Sequence, residues 1–154
     1  MLLFRMAAAQ GLDDAARELN SAAIHLLRGL KAVDRRSGLT PARLSALSVL
    51  VFVGAMPVGR LAEIEDVASP TMTRIVDGLE ELGLARRASH PVNGRIRMVE
   101  PTPRGTARMR RARDARVRAI VAALEASPTR ERTAIVRAAG ALARLPARLA
   151  GPDR

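Results

Sequence analysis

"VASPTMTRIVDGLEELGLARRASHPVNGRIR", residues 67–97, joins a helical pattern to two short basic runs. Ser69 is suited to cap the free N–H groups of a helix start, and Pro70 fits the first turn. At about 100° per residue, Met72, Ile75, Val76, Leu79 and Leu82 fall on one side. Pro70, Arg74, Asp77 and Glu81 fall opposite, with Thr71 and Thr73 on the flanks. Gly83 suits the position just past a helix end. "LARRAS" and "RIRMVE" then read as strands around "HPVNG", where Asn93-Gly94 favours a tight type I′ hairpin. From Arg86 to Arg97 the arginines are Arg86, Arg87, Arg95 and Arg97, and there is no acid.

Upstream, Met56 to Val58 reads as a short extended piece. A short helix from Gly59 to Glu65 follows, with Leu61, Ala62, Ile64 and Val67 turned inward. Two short helices joined by a tight turn make a helix-turn-helix, whose second helix enters the major groove with its first residues against base edges. Arginine pairs bidentately with guanine, and threonine offers a hydroxyl or a methyl. The same pattern also fits an ordinary helical hairpin. The basic ribbon directly after it favours a winged helix. On such a wing Arg95 reaches a phosphate or a narrow, electronegative minor groove. Alternation along the strand puts Arg95 and Arg97 on one face.

Working outward, Leu12, Ala16, Leu19, Ala23, Leu26, Leu30 and Val33 step by fours and threes. That is the period of a helix packed along a seam, either against its own core or against a partner helix. Ser37, Gly38 and Thr40-Pro41 stop one helix and start the next, whose apolar face carries Leu44, Leu47, Leu50 and Val51. Residues 105–125 are again helical, with an arginine-crowded first half. Ser127-Pro128 restarts a last helix bearing Ile135, Val136, Ala139, Leu142, Leu145 and Leu149, with Pro146 expected to kink or fray its end.

Composition narrows the function. The formal net charge is +11 and Lys31 is the sole lysine. Such a balance points to a polyanionic partner or, equally, to the arginine-rich codon usage of a high-GC genome. The absence of cysteine removes disulfides, thiolate metal sites and thiol switches. Phe4 and Phe52 are the only aromatics, too few for stacking single-stranded bases. His25 and His90 have no metal-ligand spacing, and no phosphate loop or nucleophile motif occurs, so neither an enzyme nor a metal or cofactor is expected. Arg5 interrupts the apolar N-terminus before it could serve as a leader, and no apolar run is long enough to span a membrane. The expected location is the cytoplasm.

Residues 59–105 resemble the centre of MarR-type transcriptional regulators. Leu61-Ala62, Ser69, Thr73-Arg74, Val76-Asp77, Leu79-Glu80, Gly83-Leu84 and Arg87 match that family's pattern without a gap, Arg95 matches its wing arginine, and Thr102, Pro103 and Gly105 its closing motif. Asn93 replaces the wing aspartate, Pro101 a leucine, and Gly78 a frequently basic residue. The expected fold is mainly α with a small β-hairpin wing. It is a winged helix-turn-helix at residues 40–104, flanked in one compact chain by dimerisation helices at 12–36 and 105–149. The resemblance implies a homodimeric repressor on an inverted repeat of double-stranded DNA, often released by a small phenolic anion. DNA contacts are expected from Ser69, Pro70, Thr71, Thr73, Arg74, Arg87, Arg95 and Arg97. His25, Arg28 and Arg43 are effector candidates. Two alternatives remain open at this stage: an architectural DNA binder coating phosphates through Arg108 to Arg118, and a winged helix that binds protein instead of DNA.

Overall fold

The computed structural model describes residues 2–90, 92 and 96–149, with side chains from residue 11 onward. Their order is α1 (Leu2–Arg35), α2 (Pro41–Phe52), β1 (Met56–Pro57), α3 (Val58–Ile64), α4 (Ser69–Glu81), β2 (Ala85–Ser89), β3 (Arg97–Pro101), α5 (Pro103–Glu125) and α6 (Thr129–Leu149). This is the winged-helix arrangement expected from the sequence. The chain forms two compact units, Met1–Arg116 and Val117–Arg154.

In the first unit, local chemistry sets each helix boundary. Thr40 has extended backbone and its side chain accepts a hydrogen bond from the Arg43 N–H, so α2 starts on Pro41 as expected. The turn from α3 to α4 closes when Val67 N–H donates to the Ala62 carbonyl and Asp66 N–H to that of Glu63, with Asp66 at φ 51°. That is the double-bonded helix stop usually made with glycine, here accepted by an aspartate. Because this turn spends the Val67 N–H, the extended residue before α4 is Ala68, not Ser69. The expected Ser69 cap is therefore corrected: Ser69 is the first helical residue, and Ala68 makes no side-chain cap.

Helix α4 ends on the same device. Leu84 N–H donates to the Leu79 carbonyl and Gly83 N–H to that of Glu80, with Gly83 at φ 65°. Leu79 and Leu84 are both fully buried beside this stop. The chain then passes into an antiparallel sheet of order β1-β3-β2, with Arg87 opposite Val99 and Met56 opposite Val99 on the other side. The expected hairpin thus gains a third strand of two residues. Pro57, which lacks an N–H, is tolerated there because β1 lies at the edge.

Leu44, Leu47 and Leu50 of α2, Leu61 of α3, Met72, Val76 and Leu79 of α4, Val99 of β3 and Met109 of α5 form one buried core. Each such side chain contributes roughly 1.5–3 kcal/mol by leaving water. Ile64, expected inside, is 41% exposed, because α3 ends there and the chain turns away.

The two end segments differ from the core. Helix α1 begins at Leu2, ten residues before the expected seam, and every residue from 11 to 29 is exposed. In the second unit α6 continues past Pro146 to Leu149, so the proline does not end it, and α6 buries none of its described residues.

Within the first unit, one junction ties α4, the sheet and the start of α5. Thr102 Oγ1 donates to the Gly83 carbonyl at 2.8 Å and accepts from Gly105 N–H at 3.0 Å, while Thr102 N–H donates to the Leu84 carbonyl. A methyl group added at Gly105 would overlap that Leu84 carbonyl. Gly105→Ala is therefore expected to cost about 3 kcal/mol, the upper part of the usual overpacking range, because backbone must move. Gly59→Ala, with open space at its Cβ position, should not destabilise. Urea unfolding of both variants checks this, and equal midpoints would refute the close approach.

Candidate nucleic-acid interface

The outward turn of α4 gathers the polar residues expected there. Ser69, Pro70, Thr71, Thr73 and Arg74 are all exposed, and the first turn carries no acid. The dipole of a helix start favours an approaching anion, although Pro70 has no N–H and those of Thr71 and Met72 donate to the Ala68 carbonyl. Thr73 Oγ1 donates to the Ser69 carbonyl at 3.0 Å, which leaves its lone pairs and methyl outward. Arg74 makes no ion pair among the described residues. The arrangement offers a hydroxyl, a methyl and a free guanidinium from one helix face, the groups that read base edges in a major groove.

Arg87, among the residues expected to touch DNA, has a side chain only 25% exposed that turns inward. Its Nη2 donates to Asp77 Oδ1 at 2.7 Å and its Nη1 to Glu80 Oε2; its backbone N–H donates to Glu80 Oε1 at 2.7 Å. Asp77 and Glu80 sit on successive turns of α4, so one guanidinium fastens β2 to that helix. The hydrogen bond to Asp77 chiefly, with the charges of Glu80 and Asp77, raises the Arg87 pKa against the opposing effect of burial. A raised basic group contributes its full stability below its ordinary value and loses it only above the raised one. Arg87 therefore stays charged at every working pH.

On the wing, Arg86 Nε donates to Glu100 Oε1 at 2.6 Å across the strands. Arg97 is exposed and makes no ion pair among the described residues. Asn93, Gly94 and Arg95 lie outside the described residues, and with them the expected type I′ turn and wing arginine.

A cleft of about 410 Å³ opens between the end of α1, the start of α2 and α5, lined in part by Asp34, Ser45, Ser48, Met109 and Arg116. Arg116 donates from Nε to Asp34 Oδ1 at 2.5 Å and from Nη2 to Oδ2 at 2.7 Å. The hydrogen bond to Asp34 is the main cause of a raised Arg116 pKa. None of the three expected effector residues lines this cleft. His25 and Arg28 are exposed on α1, and Arg43 turns onto α4 at Gly78. Nothing in the sequence singles out Arg116, which is one of many arginines in a run that reads as a solvated face.

Residues 37–96 match the family model described as MarR family. Over 108 residues the chain is 38% identical to an uncharacterized HTH-type transcriptional regulator of Mycobacterium bovis, covering 68% of this chain and 76% of that protein. The chain belongs to the MarR family. It is a DNA-binding transcriptional regulator and not an enzyme. The fold agrees. A MarR family protein from Bacillus stearothermophilus superposes with a TM-score of 0.74 at 21% identity, over 88% of this chain and 94% of that one. NadR, solved in complex with 4-hydroxyphenylacetate, superposes with a TM-score of 0.65 at 20% identity, over 88% and 91%. Among the described residues of this MarR-family chain, no helix is long and apolar enough to cross a membrane.

The Arg87 brace has a measurable weight. Arg87→Ala leaves two half-buried carboxylates without their donor and should cost about 1.5–3 kcal/mol, the range for hydrogen bonds to charged groups. Urea unfolding measures the loss, and amide exchange should show β2 opening more readily. A variant as stable as the parent would reduce the brace to a surface ion pair.

Proposed function

We propose that this chain is a homodimeric repressor that reads an inverted repeat in double-stranded DNA through α4. The exposed, acid-free first turn of α4, with Thr71, Thr73 and Arg74 side by side, carries this reading. Ser69 and Pro70 lie close to the DNA at the helix start, and Arg97 follows the backbone from the wing together with Arg95. Residues 40–104 form the DNA-binding region, and residues 12–36 and 105–149 the dimerisation helices. In support, α1 exposes Leu12, Leu19, Ile24, Leu26 and Leu27, and α6 exposes Ile135, Val136, Leu142 and Leu149. Helices with such faces are stable only when the faces are covered. The protein works in the cytoplasm, where its DNA is.

Release comes from a small effector in the cleft beside Arg116, as the 4-hydroxyphenylacetate bound to NadR suggests for a relative of this fold. A carboxylate there competes with Asp34 for Arg116, which couples occupancy to the α1–α5 joint. An architectural role, coating phosphates through α5, is less well supported. Arg116 is committed to Asp34, and Arg113 lies over the Phe52 ring at 5.4 Å.

Footprinting on duplexes selected from a random pool should show a short protected palindrome. Its half-site centres should lie about 34–36 Å apart or a multiple of that distance. Light scattering should give a dimer with and without DNA. Uniform coating, or a monomer binding single half-sites at full affinity, overturns the proposal. Arg74→Ala should cost on the order of 1–3 kcal/mol on the selected site and less on random duplex. Equal losses on both would make Arg74 a phosphate contact.

A further inference from the structure

Gly78 is buried although its position on α4 faces outward. Residue 78 stands one turn after Arg74 and two turns after Thr71, on the flank that both exposed residues share. What covers it is the end of a side chain from another helix. A Cβ built on Gly78 would overlap Nη2, Cζ and Nε of Arg43, so the guanidinium lies flat against the helix where a side chain of residue 78 would begin. The base of Arg43 is held firmly, since its backbone N–H is the one that Thr40 caps. Its guanidinium, unlike those of Arg60, Arg86, Arg87 and Arg116, pairs with no carboxylate among the described residues. No buried side-chain nitrogen in the described part lacks a partner, so the free donors of Arg43 reach solvent. A half-buried guanidinium, fixed at its base and left without an acid, is a ready counter-charge for a phosphate.

We propose that Arg43 is a DNA-contacting residue, supplied by α2 through the gap at Gly78, that places a second cation beside Arg74 on the reading face of α4. Gly78 is the other half of the device: any side chain there would evict the guanidinium. This rests on the reading of α4 as the DNA-reading helix. The contact is to phosphate, because the guanidinium lies against the helix flank, set back from the first turn that meets base edges.

The test uses the full chain, a duplex selected from a random pool, a scrambled duplex of equal length, and a salt series read by fluorescence anisotropy. Arg43→Gln keeps the stem over Gly78 and removes the charge. Gly78→Ala displaces only the far end of a flexible side chain and favours the helix. Both should weaken binding equally on the two duplexes and lower the salt slope by about 0.9 units per bound chain. Gly78→Ala should melt no lower than the parent, which separates binding from stability. If Arg43→Gln fails to fold by circular dichroism, Gly78→Ala alone decides. The double variant Arg43→Ala, Gly78→Arg, which moves the cation onto α4 itself, should recover the slope. A parental salt slope in Arg43→Gln and Gly78→Ala overturns the assignment of Arg43 while leaving the regulator intact. A parent chain whose DNA binding does not respond to salt refutes the DNA reading itself.

Discussion

The Leu84 carbonyl resting against the Cα of Gly105 is the contact on which the winged domain turns. Four elements end or begin there: α4 stops, β2 starts, β3 finishes and α5 leaves. Gly83 supplies the left-handed residue that ends α4, and Thr102 binds the carbonyl beside it while capping α5. A bulkier residue at 105 would separate α4 from the strands of the wing. Close backbone approach of this kind explains Thr102 and Gly105, three positions apart on either side of Pro103-Arg104, better than any direct role in binding.

Arginine serves two purposes in this chain. Some guanidiniums are joints: Arg87 fastens β2 to α4, Arg86 bridges β2 and β3 to Glu100, and Arg116 holds α5 to the end of α1. Others, such as Arg74 and Arg97, face outward with no acid partner among the described residues. A planar fork with several donors suits the joints, because it can bind two carboxylates or both oxygens of one. Net charge therefore overstates the surface available to a polyanion.

The fold was legible in the sequence where a local rule decided it. Thr40-Pro41, Gly83 and the periodic apolar residues of α4 each act over a few neighbours, and the structure uses them as expected, save Leu82, which sits at the helix end and is exposed. The Ser69 cap failed because the preceding turn, held by Val67 and Asp66, moved the boundary by one residue. The extended piece at Met56 was legible, but not its pairing with β3, since the two strands lie some forty residues apart and meet only in the folded sheet. The exposed first turn of α4 was legible from helical phase. The brace of Arg87 was not, since its partners lie seven and ten residues back and only meet it once α4 and β2 are packed together. For the same reason the ion pair of Arg116 with Asp34 was not legible, its partner lying 82 residues back.

Helix α1 runs through 34 residues, about 50 Å at the usual rise, and its residues from 11 to 29 have no cover from the rest of the chain. Most of a helix's stability in a protein comes from packing its apolar face, and on this stretch that face meets only solvent within one chain. If a second copy covers it, as proposed, the order of α1 becomes a function of chain concentration, because mass action then couples folding to association.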